Sequence, residues 1–149
     1  MKKKQSGFTM IELIMVIVIL GILAAFALPR FANLGADARI ATLNGALGAA
    51  RSAAAIAHST ALARPGQPVV LEGTPIAMVN AYPQADTGGI VAAAQLSPDF
   101  NTTGGGTDAG NVLVIQVAGA PTPATCSFTY TAPEPDAAPA FGVVATAGC

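Results

Sequence analysis

The sequence has no tryptophan, one histidine (His58) and two cysteines, and only 10% of its 149 residues are charged. Each scarcity removes a class of function. A single histidine cannot supply a His cluster for a metal, and a Ser-His-Asp relay would have to be built around His58 alone. That residue sits between Ala57 and Ser59 in a helical pattern, which reads as an edge-packed or solvated helix position. Six phenylalanines and two tyrosines provide no stacking platform for bases and no path for electrons. Of seven basic residues three are Lys2, Lys3 and Lys4, so beyond residue 7 four arginines face eight acids, a side-chain charge of about −4. Nucleic-acid binders carry a basic stripe, and none is expected here. Gly104-Gly105-Gly106 lacks the Lys-Ser/Thr that completes a phosphate cradle. Asp99, Asn101 and Asp108 around it have neither EF-hand spacing nor a bidentate glutamate. No metal, cofactor or enzymatic activity is expected, and the Asn101-Thr102-Thr103 sequon reads as a chance match.

What the chain does have is an apolar run from Leu13 to Leu28, preceded by Lys2-Lys3-Lys4-Gln5-Ser6-Gly7-Phe8-Thr9-Met10-Ile11-Glu12. As a helix, Phe8 to Leu28 would cover about 30 Å, one bilayer core. Inside it stands a lone carboxylate, Glu12. An acid at the middle of such a helix costs about 2.5 to 3.5 kcal/mol, and less near the end, so Glu12 asks for a partner or a purpose.

Lysines followed by Gly7-Phe8-Thr9-Met10-Ile11-Glu12-Leu13 resemble the class III signal of type IV pilins and pseudopilins. The resemblance implies cleavage by a prepilin peptidase between Gly7 and Phe8, N-methylation of Phe8, and a role for Glu12 in subunit assembly. It also implies that Gly21 and Pro29 bound a stretch able to unwind when subunits join a filament; by residue type alone they equally suit a soft point and a bend at the membrane surface. Pro29-Arg30-Phe31, Asp37-Ala38-Arg39-Ile40-Ala41-Thr42-Leu43 and Asn80-Ala81-Tyr82-Pro83 look most like mannose-sensitive haemagglutinin (MSHA) pilins.

Ala25-Phe26-Ala27 also meets the pattern of an ordinary signal peptide cut after Ala27. Its h-region would be overlong and would start with a glutamate, and the helical pattern continues beyond the cut. N-terminal sequencing separates the two: Leu28 first, or methylated Phe8 first. The lysines keep the N-terminus cytoplasmic and send the chain beyond Pro29 across the membrane. Cys126 and Cys149 then lie on the oxidising side, where a disulfide worth about 3 to 4 kcal/mol is favoured, with two free thiols as the alternative. The pair also resembles the C-terminal disulfide region of many pilins.

After Pro29, Ile40, Leu43, Leu47, Ala50, Ala54, Ala57 and Ala61 recur at spacings of three and four, one helix face, with Asp37, Arg39, Arg51 and Ser52 mostly away from it. Gly35, Gly45 and Gly48 each cost about 1 kcal/mol against alanine, so packing must carry this helix. Arg64-Pro65-Gly66 stops it. Val69 to Glu72 and Pro75 to Asn80 read as a hairpin about Gly73, Gly88 to Leu96 as a short helix ended by Ser97-Pro98, and Asn101 to Gly110 as a polar loop. Asn111 to Val117, Cys126 to Thr131 and Ala140 to Thr146 are the strand candidates, with Ala132 to Asp136 a turn or exposed loop.

The expected organisation is a leader (1–7), a transmembrane and filament-core helix (8–28), its amphipathic continuation (29–64) and a β-rich head with a C-terminal disulfide loop (65–149). The fold expected from the resemblance is α+β, a long N-terminal helix packed on a small antiparallel sheet. It implies a pilus subunit that forms a homopolymer for attachment, with prepilin peptidase/methylase, assembly platform, ATPase machinery and inner membrane as partners, and the head periplasmic before export to a surface fibre. A type II secretion pseudopilin and a minor pilin are the rivals; the cysteine pair and the lack of a convincing calcium loop favour the pilus.

Overall fold

The computed structural model describes residues 7–96 and 98–149, and only the backbone at 28–32. The leader before Gly7, Ser97 in the expected helix stop, and the side chain of Pro29 lie outside the described residues. The chain divides into two units, Met1–Gly35 and Ala36–Cys149.

Helix α1 spans Met10–Ala32. Its described side chains are exposed or nearly so, including Ile14, Ile17, Leu20 and Phe26. A helix of this length and apolarity is able to cross a membrane. It runs through Gly21 and past Pro29, and one turn residue, Asn33, separates it from α2, Leu34–Ala63. The interruption thus follows the proline by four residues and falls on an asparagine, whose short amide competes for backbone hydrogen bonds.

Of the stripe that the three-four spacing predicts, helix α2 buries Leu43, Ala50, Ala54 and Ala57, with Ile40, Leu47 and Ala61 half-buried; Ala46 and Ala53, outside that stripe, are buried as well. Two of the polar residues assigned to the opposite side reach the head instead. Arg39 Nη1 donates to the Cys149 carbonyl at 2.8 Å, and the Arg51 guanidinium lies 5.6 Å over the Phe141 ring. The length of the arginine side chain lets both guanidinium groups reach these partners from α2.

Next along the chain are two short hairpins. Val70–Leu71 (β1) pairs with Thr74–Pro75 (β2) around Glu72 and Gly73, both at positive φ. Two consecutive left-handed residues give the turn whose twist matches that of its strands. The strand expected from Pro75 to Asn80 is shorter and belongs to a second hairpin, Met78–Val79 (β3) against Tyr82–Pro83 (β4). Its turn places Asn80 at φ 47° and Ala81 at φ 63°. Ala81 lacks the conformational freedom of glycine, a strain of about 1–2 kcal/mol. Its surroundings offset this: the Ala81 carbonyl lies 3.0 Å from His58 Nδ1, His58 stacks on Tyr82 at 3.9 Å, and Asn80 Nδ2 donates to the Pro133 carbonyl at 2.9 Å. His58 is therefore an edge-packed helix residue that pins a turn.

The helical segment expected at Gly88 to Leu96 is shorter and distorted. A π-type turn, Thr87–Val91, is kinked at Gly89, capped by the Asp86 carboxylate accepting from Gly89 N at 2.6 Å, and followed by Ala92 and Ala93. Gly89 is obligatory, since a Cβ there would collide with the Gln84 backbone.

The main sheet is an antiparallel meander: Phe100–Gly104 (β5), Val112–Val117 (β6), Ser127–Thr131 (β7) and Ala140–Phe141 (β8), in that order. The first strand corrects the sequence reading of Asn101 to Gly110 as loop. Thr102 and Thr103 pair with Ile115 and Val114, and the glycines that suggested a loop begin only at the strand end, where Gly104, Gly105 and Gly106 all have positive φ. Strand β8 is shorter than the expected Ala140 to Thr146, although Ala145 bridges back to Ser127. Alternation places Leu113, Ile115 and Val117 of β6 inward, with Phe128 and Tyr130 of β7. Together with Leu43, Ala46, Ala50 and Ala54 of α2 they form the main core, and Ala57, Val69 and Ile76 form a second cluster. Helix followed by antiparallel sheet makes this an α+β fold.

Candidate assembly site at the amino-terminal end

The residues assigned to processing and assembly lie at the start of α1. Gly7, Phe8 and Thr9 precede the helix in irregular backbone, and Phe8 is 92% exposed. The first helical hydrogen bond runs from Leu13 N to the Thr9 carbonyl at 3.3 Å, making Thr9 the N-cap. Thr9 Oγ1 accepts from Glu12 N at 3.3 Å, while a Glu12 carboxylate oxygen accepts from Thr9 N at 2.8 Å and from the Thr9 hydroxyl at 2.6 Å. This is a reciprocal capping box, Thr-x-x-Glu. Sequence reasoning missed it although the four-residue signature was readable, because the charge of Glu12 overshadows what its oxygens bond.

The cap changes the energetics of the lone acid. Its carboxylate satisfies a backbone N–H that the helix start leaves orphaned, and it sits at the positive end of the helix dipole, worth about 0.3–1 kcal/mol. Gly7, Phe8, Thr9 and Glu12 together line a shallow recess. The helix continues through Gly21 without interruption, and a Cβ there would meet nothing within 4 Å.

The remaining candidates stand apart from this end. Cys126 and Cys149 form a disulfide with Cα atoms 4.9 Å apart, and no described cysteine is free. Asn101 is part of β5, while the backbone carbonyls of Asp99 and Asp108 accept from Ala118 N and Asn111 N. Among the described residues no three His, Cys, Asp or Glu side chains gather to hold a metal. A Cβ on Gly105 would run into the Ala85 carbonyl, so these glycines serve close backbone approach. In the core, the Tyr130 hydroxyl donates to the Pro83 carbonyl at 2.7 Å, and burial, reinforced by Tyr82, pushes its phenol up.

Comparison with known proteins points to the same end of the chain. The family described as the prokaryotic N-terminal methylation motif matches residues 2–28, which include Gly7, Phe8, Thr9, Glu12 and Gly21. The Type IV narrow pilus major component PilA5 of Thermus thermophilus is 52% identical over 54 residues, 36% of this chain and 47% of that protein. The Type IV major fimbrial protein FimA of Dichelobacter nodosus is 43% identical over 53 residues, covering 36% of this chain and 34% of FimA. Fimbrial protein EcpB of Eikenella corrodens is 50% identical over 50 residues, 34% of this chain and 31% of EcpB. The chain spans less than half the length of these relatives. No solved structure matches. Over about a third of its length the chain is similar to the subunits of type IV pili, which are structural proteins and not enzymes.

Proposed function

We propose that this chain is a structural subunit of a type IV pilus, stored in the inner membrane through α1 and polymerised into a surface fibre. The observation that carries the reading is the methylation motif at 2–28, which takes in a helix whose described apolar side chains from Met10 to Phe26 are exposed. Residues 1–7 are the leader, removed by prepilin peptidase between Gly7 and Phe8. Residues 8–28 are the membrane and filament-core segment, 29–64 its amphipathic continuation, and 65–149 the head, periplasmic before export. Attachment of cells to surfaces, in the manner of MSHA pilins, is the use proposed for the fibre.

Cleavage after Gly7 frees the α-amino group of Phe8 one residue before the Thr9 cap, and methylation of Phe8 leaves that amine cationic. In an array of such helices, a neighbour's amine offers the Glu12 carboxylate an ion pair in place of its own cap, and the cost of burying each charge is offset by the other. A subunit out of register leaves both unpaired. Gly21 and Pro29 allow the backbone between them to adjust as helices pack.

The test is the full-length Glu12→Gln variant in a host that carries pilus assembly machinery. Membrane insertion should be unchanged while sheared fibre yield drops. Mass spectrometry of fibres from the unmodified chain should show N-methyl-Phe8 as first residue. Normal piliation by Glu12→Gln, or a chain that begins at Leu28, overturns the proposal.

A further inference from the structure

The head carries an exposed apolar knob near its C-terminus and, beside α2, a groove of mixed lining. The knob is Val143, 94% exposed, the most exposed large apolar side chain of the described residues. Its position is set by the backbone. Tyr130 pairs with Phe141, and Gly142 N donates to the Thr129 carbonyl at 2.9 Å, but Ser127 next pairs with Ala145. Three residue steps on one strand therefore span two on β7, a β-bulge at Val143 and Val144. Val144 packs against the core and Val143 is turned out. Bulges of this kind re-aim a side chain.

The groove, about 460 Å³, lies between α2 and the β1–β2 hairpin, lined by Ala53, Ile56, Val70 and Ala94 together with polar Ser52, Glu72 and Gln95. Ile56 and Val70 remain 54% and 49% exposed. At about 100° per residue, Ile56 lies roughly 140° round α2 from Arg51. Arg51 lies over Phe141, two residues before Val143, and so faces a different side of α2 from the Ile56 wall of the groove. The charges beside knob and groove are opposite too: exposed Arg51 lies over Phe141, two residues from the knob, and exposed Glu72 lines the groove.

We propose that a second copy of this chain fills the groove: Val143 of one head seats against Ile56 and Val70 of the next, with Arg51 facing Glu72 across the contact. Two different patches meeting in this way make a heterologous contact, which propagates into a helical array unless it closes into a ring. The contact rests on the filament reading and gives it a head-to-head component that does not involve α1.

The test reads sheared fibre yield and membrane pool for the full-length chain in a piliating host. Val143→Asp should lower fibre yield by about tenfold, the effect of about 1.4 kcal/mol per contact, with an unchanged membrane pool. The uncharged Val143→Ser, with the head still protease-resistant, should lower it in the same direction. Arg51→Glu and Glu72→Arg should each reduce yield, and the double variant should restore most of it. Wild-type yield from Val143→Asp, or a double variant no better than the poorer single one, overturns the contact and leaves the groove to another occupant. Absence of fibres from the unmodified chain would instead sink the filament reading itself.

Discussion

Helices α1 and α2 are both rich in small and apolar residues, yet they answer to different surroundings. In α1 the apolar side chains point in all directions and remain exposed from Met10 to Phe26. In α2 a single stripe is buried against the sheet, and Ala49, Ser52 and Ala55 face outward. A helix apolar all round is built for a medium or for other copies, whereas an amphipathic helix is built for its own core. The same residue type therefore carries different weight in the two. Alanine closes the core along α2, while the described leucines of α1, Leu13, Leu20 and Leu23, are exposed.

That contrast breaks most sharply under truncation. Phe128→Ala, which empties a buried site beside α2, should cost the head about 3–5 kcal/mol, whereas Leu23→Ala in α1 should leave head stability unchanged. Calorimetry of the detergent-solubilised chain compares them, and a comparable loss from Leu23→Ala would break the distinction. Reduction of Cys126–Cys149 comes next. It should destabilise the head by about 2–4 kcal/mol and leave α1 helical, as read by circular dichroism with and without reductant.

Tyr130 gives a smaller, pH-dependent effect. Its folded pKa is raised, so its contribution is fully present below the unfolded value of about 10 and is lost as pH climbs from there through the folded value. Melting temperature should fall above pH 10, and Tyr130→Phe should flatten that fall while lowering stability at neutral pH by about 1 kcal/mol for the lost bond to Pro83. The smallest effect sharpens the comparison. A Cβ at Gly48 meets nothing within 4 Å, so Gly48→Ala should stabilise the head by up to about 1 kcal/mol. Gly21→Ala, equally unobstructed in α1, should not register in the head transition.

The sequence was most readable where one periodicity ran long enough to dominate. The stripe from Ile40 to Ala61 is of this kind, whereas β6 was readable from its concentration of Val and Ile rather than from any alternation. Strand β5 escaped because Gly104 to Gly106 masked the pairing of Thr102 and Thr103, which depends on a partner strand distant in sequence. The β3–β4 hairpin escaped because its turn uses Asn80-Ala81, where a glycine would be the usual signal, and its strain is met by His58 from α2. Such contacts have no local signature. At the N-terminal end the motif was legible as a string, and Thr9-x-x-Glu12 as a cap was legible too, had hydrogen-bonding capacity been counted before charge.

The cap has a mechanical consequence. Its two halves share one oxygen: a group that displaces Thr9 from that oxygen of Glu12 strips the bonds from the Thr9 amide and hydroxyl together. A free helix end loses about 0.5–2 kcal/mol without its cap. Under the proposed assembly, an amine that took that oxygen would loosen the first turn, so that a charge event at the helix tip would become local unwinding. Amide exchange at Thr9 would register that conversion directly, faster where a neighbour holds the acid and slower where the acid is at home.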